Sequence, residues 1–114
     1  MELDCLFCKI VHRQLATPLI DEDDQVIVFN DIHPQAPIHL LIVPKIHIAS
    51  LLELPKKSYL MTHLSQCAIQ QAQKNGIDSK GFRLVINCGP EGGQTISHLH
   101  VHLMGGRPML WPPG

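Results

Sequence analysis

The segment Ser97-His98-Leu99-His100-Val101-His102-Leu103 alternates without a break between polar and apolar side chains. Of the regular structures only a strand separates such a pattern, because successive side chains leave it on opposite faces. The spacing therefore predicts a strand over residues 96–104, stopped by Gly105-Gly106. Leu99, Val101 and Leu103 would face a core, with His98, His100 and His102 on the other face. Three imidazoles together are costly to bury without partners, and packing gives no reason for them. Eight histidines in 114 residues direct attention to site chemistry, since histidine changes charge near neutral pH. The row is open to three readings: polar residues on a wet sheet face, a metal site converging three imidazoles, or phosphorus chemistry.

Glycine and proline punctuate the rest of the chain, which has no internal repeat or low-complexity stretch, so residues 1–114 read as one domain. Residues 5–12 place Leu6, Phe7, Ile10 and Val11 at helical spacing. Residues 19–21 and 25–30 read as a hairpin across the acidic turn Asp21-Glu22-Asp23-Asp24, and the apolar run at 38–43, between Pro37 and Pro44, as a third strand. Ser50-Leu51-Leu52-Glu53 has capping-box spacing. Residues 56–75 carry Leu60, Leu64, Cys67, Ala68, Gln71 and Ala72 at helical spacing up to Gly76, and residues 82–87 read as a further strand. The order α-β-β-β-α-β-β describes an antiparallel-rich α+β domain.

Nine Lys plus Arg against ten Asp plus Glu leave a net charge of −1, with no field to draw in nucleic acid or an anionic membrane, so a small ligand is expected. No apolar stretch reaches the ~20 residues a membrane span needs. Met1-Glu2-Leu3-Asp4 lacks the basic and apolar regions of a secretory leader, and a cytoplasmic location is expected. In reducing surroundings Cys5, Cys8, Cys67 and Cys88 are expected as thiols. Cys5-x-x-Cys8 then reads as metal-binding or redox-active, although no strand–helix redox context precedes it. Cys67 and Cys88 read as small core residues, and His12, His33 and His63 as surface, helix-flank or loop residues.

What stands upstream of the histidine row favours phosphorus chemistry. Asn87 and Gly92-Gly93-Gln94-Thr95 offer backbone N–H groups, an amide and a hydroxyl, donors that phosphate oxygens need. There is no Gly-x-x-x-x-Gly-Lys segment and no Asp or Glu beside the row to hold Mg²⁺, so no Mg²⁺ requirement is expected. A neutral imidazole is a competent nucleophile toward phosphorus, and a charged neighbour can protonate the leaving group.

His98-Leu99-His100-Val101-His102-Leu103-Met104 resembles the motif of the histidine-triad (HIT) family. The likeness extends through Phe7-Cys8-Lys9-Ile10, Phe29-Asn30-Asp31-Ile32-His33-Pro34-Gln35-Ala36-Pro37, His39-Leu40-Leu41-Ile42-Val43-Pro44-Lys45 and Gly105-Gly106-Arg107 to Trp111-Pro112-Pro113-Gly114. The C-terminal stretch is more similar to the Hint branch, the purine nucleoside phosphoramidases, than to the dinucleoside polyphosphate hydrolases. The resemblance implies a five-stranded antiparallel sheet with one long and one short helix, and a homodimer. It implies hydrolysis of purine nucleoside monophosphate derivatives at a P–N bond through a nucleotidyl-histidine. His100 matches the nucleophile, His102 the partner at the phosphate and leaving group, and His39 a supporting histidine. Asn87, Gly93 and Thr95 match phosphate-contacting positions, with Thr95 standing where many relatives carry Ser. Asp31 matches the ribose-binding carboxylate, and Leu6, Phe7, Ile10, Phe29, Ile32 and Leu41 match the purine slot. Trp111, in the segment that reaches the partner's site in this branch, is a candidate for substrate discrimination across the dimer. The rivals are a dinucleoside polyphosphate hydrolase and a non-enzymatic nucleotide- or zinc-binding regulatory module.

Cys5-x-x-Cys8 has the spacing of half a zinc site, the other half being two imidazoles supplied from elsewhere. A subset of HIT proteins and related nucleotidyltransferases bind Zn²⁺ with such a pair, a histidine after a Pro-Lys-x motif, and the first histidine of the triad. The resemblance thus implies Cys5, Cys8, His47 and His98 as ligands of a closed, structural zinc, which leaves the chemistry to His100 and His102.

Overall fold

The computed structural model describes residues 4–114; residues 1–3, most of the stretch read above for a secretory leader, lie outside the described residues. The elements are α1 (Leu6–Val11), β1 (Asp21–Glu22), β2 (Val26–Asn30), β3 (Ile38–Pro44), a 3-10 turn at Leu51–Glu53, α2 (Leu60–Lys74), β4 (Phe82–Val85) and β5 (Val101–Gly105). The strands form one antiparallel sheet in the order β1-β2-β3-β5-β4, with one long and one short helix, as expected. No helix among the described residues is long and apolar enough to cross a membrane.

β2 and β3 have sheet neighbours on both sides and are covered on both faces, which is why their apolar runs are continuous rather than alternating. Val26, Val28, Leu40 and Ile42 join Leu99, Val101 and Leu103 on one face, under Leu64, Ala68 and Ala72 of α2. Ile27, Phe29, Leu41 and Val43 face the other way, against Phe7 and Ile10 of α1. The two alanines let the long helix sit close to the sheet, while the short helix covers only part of its face.

β5 begins at Val101 rather than at residue 96. The register pairs Ile42 with Val101, so continuing the ladder would bring it to Pro44, which has no N–H to donate. The chain bends instead: the His98 N–H donates to the Ile96 carbonyl at 2.9 Å and the Leu99 N–H to the Ile48 carbonyl at 2.7 Å. The alternation outlives the ladder, since Leu99 is buried with Val101 and Leu103. The hairpin turn is also tighter than its run of four acids implied. Asp23 Oδ1 accepts from the N–H groups of Gln25 and Val26, both at 2.8 Å, which frees Asp21 and Glu22 to form β1. α2 starts at Leu60, four residues later than its periodicity implied, where Ser58 Oγ accepts the Leu60 N–H at 3.1 Å. β4 stops at Val85, the last partner of β5 at His102.

Candidate active site

A cavity of about 270 Å³ opens on the α1-covered face of the sheet. Leu6, Phe7 and Ile10 of α1 wall one side, Phe29 and Leu41 of β2 and β3 its floor, and Asp31 and Ile32 its rim; Thr95, His100 and His102 complete the polar edge. Leu15, Thr17, Asn30, His33 and Ile96 also line it. The sequence marks His33 only as a loop residue, and Leu15 and Thr17 lie in a segment with no periodicity to mark them.

The three histidines of the row carry their protons differently, backbone carbonyls setting two of them and the His39 ring the third. His100 Nδ1 lies 2.7 Å from the His98 carbonyl, which can only accept, so the proton is on Nδ1 and the lone pair on Nε2. His100 is 6% exposed, and Phe7 meets its ring edge-on at a centroid distance of 5.1 Å. The next ring is set by a relay. The Gln35 N–H donates to His39 Nδ1 at 3.0 Å, which puts the His39 proton on Nε2. That Nε2–H donates to His102 Nδ1 at 2.9 Å, leaving the His102 proton on Nε2. His39 itself is buried behind the cavity, brought there because the β3–β5 register sets Leu41 opposite His102 and so places His39 diagonal to it. A lone pair on His100 and an N–H on His102 thus stand side by side, ring centroids 5.0 Å apart.

Burial pushes His102 down to about 4, helped by the neighbouring His100 and His39 rings and opposed by Asp31. His39 is lowered for the same first reason, again against Asp31. Asp31 Oδ2 is 3.4 Å from His39 Nε2 and 3.9 Å from His102 Nδ1, while its Oδ1 accepts the His33 N–H at 2.8 Å. Both rings are therefore neutral near pH 7, and the tautomers above are those of the resting site.

His98 points away from the cavity. Its Nε2–H donates to the Pro44 carbonyl at 2.8 Å, so Nδ1 carries the lone pair. That Nδ1 lies 3.3 Å from Cys5 Sγ, 3.6 Å from Cys8 Sγ and 3.2 Å from His47 Nδ1, and Cys8 Sγ lies 3.2 Å from His47 Nδ1. Four donors with Zn–S near 2.3 Å and Zn–N near 2.0 Å stand roughly 3.3–3.8 Å apart around a tetrahedral ion, so this S₂N₂ set fits zinc. Burial raises the Cys5 thiol, so a cation would be needed to hold its thiolate there, and burial lowers His98, which keeps that ring neutral and its Nδ1 lone pair available.

Asn87, Gly93 and Trp111 are not on the cavity wall. Asn87 Nδ2 donates to the Gly92 carbonyl at 2.7 Å, closing the bend that precedes Thr95. Gly93 sits on that bend at φ +78°, and a Cβ on Gly92 would fall 2.2 Å from the Cys88 carbonyl oxygen. The Gln94 amide braces the same bend, donating to the Ala49 and Ile96 carbonyls at 2.7 and 3.0 Å. Trp111 is 83% exposed on the C-terminal segment, which Arg83 ties to the edge strand through the Leu110 carbonyl at 2.8 Å.

A family model described as a HIT domain matches residues 12–109 of the chain. A crystal structure described as a HIT family hydrolase from Legionella pneumophila superposes with a TM-score of 0.95 at 45% identity, covering 97% of this chain and 100% of that one. The 14 kDa zinc-binding protein of Brassica juncea is 41% identical, over 97% of this chain and 100% of its own length. The adenylylsulfatase HINT1 of Arabidopsis thaliana is 40% identical, over 96% of this chain and 76% of its own.

Proposed function

This chain belongs to the histidine-triad family, and on that premise we propose that it hydrolyses purine nucleoside phosphoramidates at the P–N bond through a covalent nucleotidyl-histidine. The observation that carries the reading is the pairing of tautomers: the free lone pair of His100 Nε2 beside the Nε2–H of His102, on the polar edge of an otherwise apolar cavity. Leu6, Phe7, Ile10, Phe29, Ile32 and Leu41 suit a flat base, and Asp31 at the rim suits ribose hydroxyls. Thr95 at the polar edge, with Asn87 and Gly93 on the bend behind it, is a phosphate contact of this reading. The relative called an adenylylsulfatase is by its name an enzyme for an adenylyl compound, consistent with a site that holds the nucleotide half and tolerates different leaving groups.

His100 Nε2 attacks the α-phosphorus, and the His100–P bond forms as the P–N bond to the departing amine breaks. Bound phosphate raises the affinity of His102 for a second proton, which enters at Nδ1 in place of the hydrogen bond from His39, with Asp31 as counter-charge 3.9 Å from Nδ1 and 3.4 Å from the released His39 Nε2–H. The charged ring gives its Nε2 proton to the amine and is left neutral. Water then attacks the same phosphorus and returns a proton to His102, and the His100–P bond breaks to release the nucleoside monophosphate. His39 positions His102 through their 2.9 Å hydrogen bond.

Zinc held by Cys5, Cys8, His47 and His98 would supply structure rather than chemistry, tying α1, which walls the cavity, to the segment that carries His100. The zinc-binding relative is consistent with that assignment. A cytoplasmic homodimer that brings the partner's Trp111 to the cavity completes the proposal.

The test is a comparison of kcat/KM for an adenosine phosphoramidate, adenylyl sulfate and a diadenosine polyphosphate, with acid-quenched intact-mass analysis. Preference for the phosphoramidate and a mass increase of one nucleotidyl group, absent in His100→Ala, are expected. Preference for the polyphosphate overturns the substrate assignment. Nucleotide binding with no turnover of any of the three leaves a regulatory module.

A further inference from the structure

A second cluster of ligand-type side chains lies on the α2-covered face, remote from the cavity and from the four residues assigned to zinc. His63 and Cys67 stand one turn apart on α2 and meet Asp23 of the hairpin turn. Asp23 Oδ2 is 2.8 Å from His63 Nε2, Cys67 Sγ is 3.8 Å from Asp23 Oδ2, and it is also 3.8 Å from His63 Nε2. A nucleophilic relay of cysteine, histidine and aspartate would use opposite nitrogens of the ring. Here one nitrogen faces both partners, so the three donor atoms converge on a point instead of forming a chain.

We propose that Asp23, His63 and Cys67 form a binding site for a divalent first-row transition metal, with the fourth position open to solvent. Three atoms at those separations share a centre about 2.0 Å from each, close to the ~2.0–2.3 Å of zinc bonds to nitrogen, oxygen and sulfur. Imidazole and thiol donors select zinc or its neighbours over Mg²⁺ and Ca²⁺. The carboxylate is already oriented: Oδ1 is tied to the N–H groups of Gln25 and Val26, which leaves Oδ2 for the ion. The His63 and Asp23 side chains are 35% and 39% exposed, so an ion has a path in. Asp23 and Cys67 also line a cavity of about 90 Å³ shared with Gln71, whose Oε1 is buried with no hydrogen-bond partner, and the cavity has room for a water.

Apo-protein loaded with Zn²⁺ or Co²⁺, freed of excess metal and assayed for stoichiometry, tests this, using full-length wild type, Cys67→Ser, Asp23→Asn and Cys8→Ser. Two equivalents in wild type and one each in Cys67→Ser and Asp23→Asn are expected. The Co²⁺ form of Cys67→Ser should lose part of the near-ultraviolet thiolate-to-metal absorption. Asp23→Asn keeps the oxygen that caps the turn, so it covers the case of a poorly folded serine variant. One equivalent in wild type, lost in Cys8→Ser and kept in Cys67→Ser, overturns the proposal, as do two equivalents that persist in both Cys67→Ser and Asp23→Asn. One equivalent kept in Cys8→Ser and lost in Cys67→Ser supports it and removes the zinc assigned to Cys5, Cys8, His47 and His98.

Discussion

The two faces of the sheet are built from the same strands and differ in what covers them. Fifteen residues of α2 close one face with Leu64, Ala68 and Ala72, each 0% exposed, while the six residues of α1 leave part of the other open. The uncovered part is the 270 Å³ cavity, and His39, His100 and His102 border or back it. A long helix at small residues yields a tight interior; a short one yields room for a ligand beside groups that the sheet holds rigid. On the proposed reading the α2 face carries packing alone while the cavity face carries the chemistry as well, and substitutions should separate the two.

The sharpest separation is expected from His100→Ala. Loss of the proposed nucleophile should lower kcat/KM for the phosphoramidate by about 10³-fold or more, with nucleotide affinity within about tenfold, measured by steady-state kinetics and calorimetric titration. Comparable turnover in the variant would break the assignment of chemistry to this face. Leu64→Ala, on the other face, should cost about 2–5 kcal/mol in urea unfolding while turnover per folded molecule stays within about twofold.

Acid should act through the cavity face. An unfolded histidine titrates near 6.5, whereas folded His102 stays neutral down to about 4 and His39 is lowered too. The unfolded chain therefore binds more protons in that window. The stability these buried neutral rings contribute is complete above about pH 6.5 and is lost as pH falls toward 4, of the order of 3 kcal/mol for His102. Urea midpoints at pH 7 and 4.5 measure it, and His102→Asn should flatten the difference; an unchanged slope would show that the ring is not held neutral. The smallest effect is expected from Trp111→Ala. Its exposed ring should matter to the stability of one chain by less than about 0.5 kcal/mol, while changing the ratio of kcat/KM between phosphoramidate and adenylyl sulfate if a partner's cavity receives it.

Much of this division is legible in local patterns. The alternation around His100 separates Leu99, Val101 and Leu103 from the imidazoles, and the unbroken apolar runs of β2 and β3 mark strands covered on both faces. The end of the ladder at Val101 is not legible in residues 96–104 themselves, because it depends on Pro44 standing across the sheet. Leu15 and Thr17 reach the cavity through chain folding that no periodicity records. His63 and Cys67 carry helical spacing, yet the Asp23 that gives them meaning lies 40 and 44 residues away.

By itself the sequence determined which side chains share a face, since side-chain direction follows from covalent geometry within a few residues. Only the tertiary structure decided what each does. Three imidazoles of identical chemistry became a lone pair toward the four-donor cluster, a lone pair beside the cavity and an N–H beside it. Their partners are the Pro44 carbonyl, the His98 carbonyl and the His39 ring. A proton's place on a ring is set by the group at hydrogen-bond distance, and two of those three groups reach their histidine only when distant strands come together.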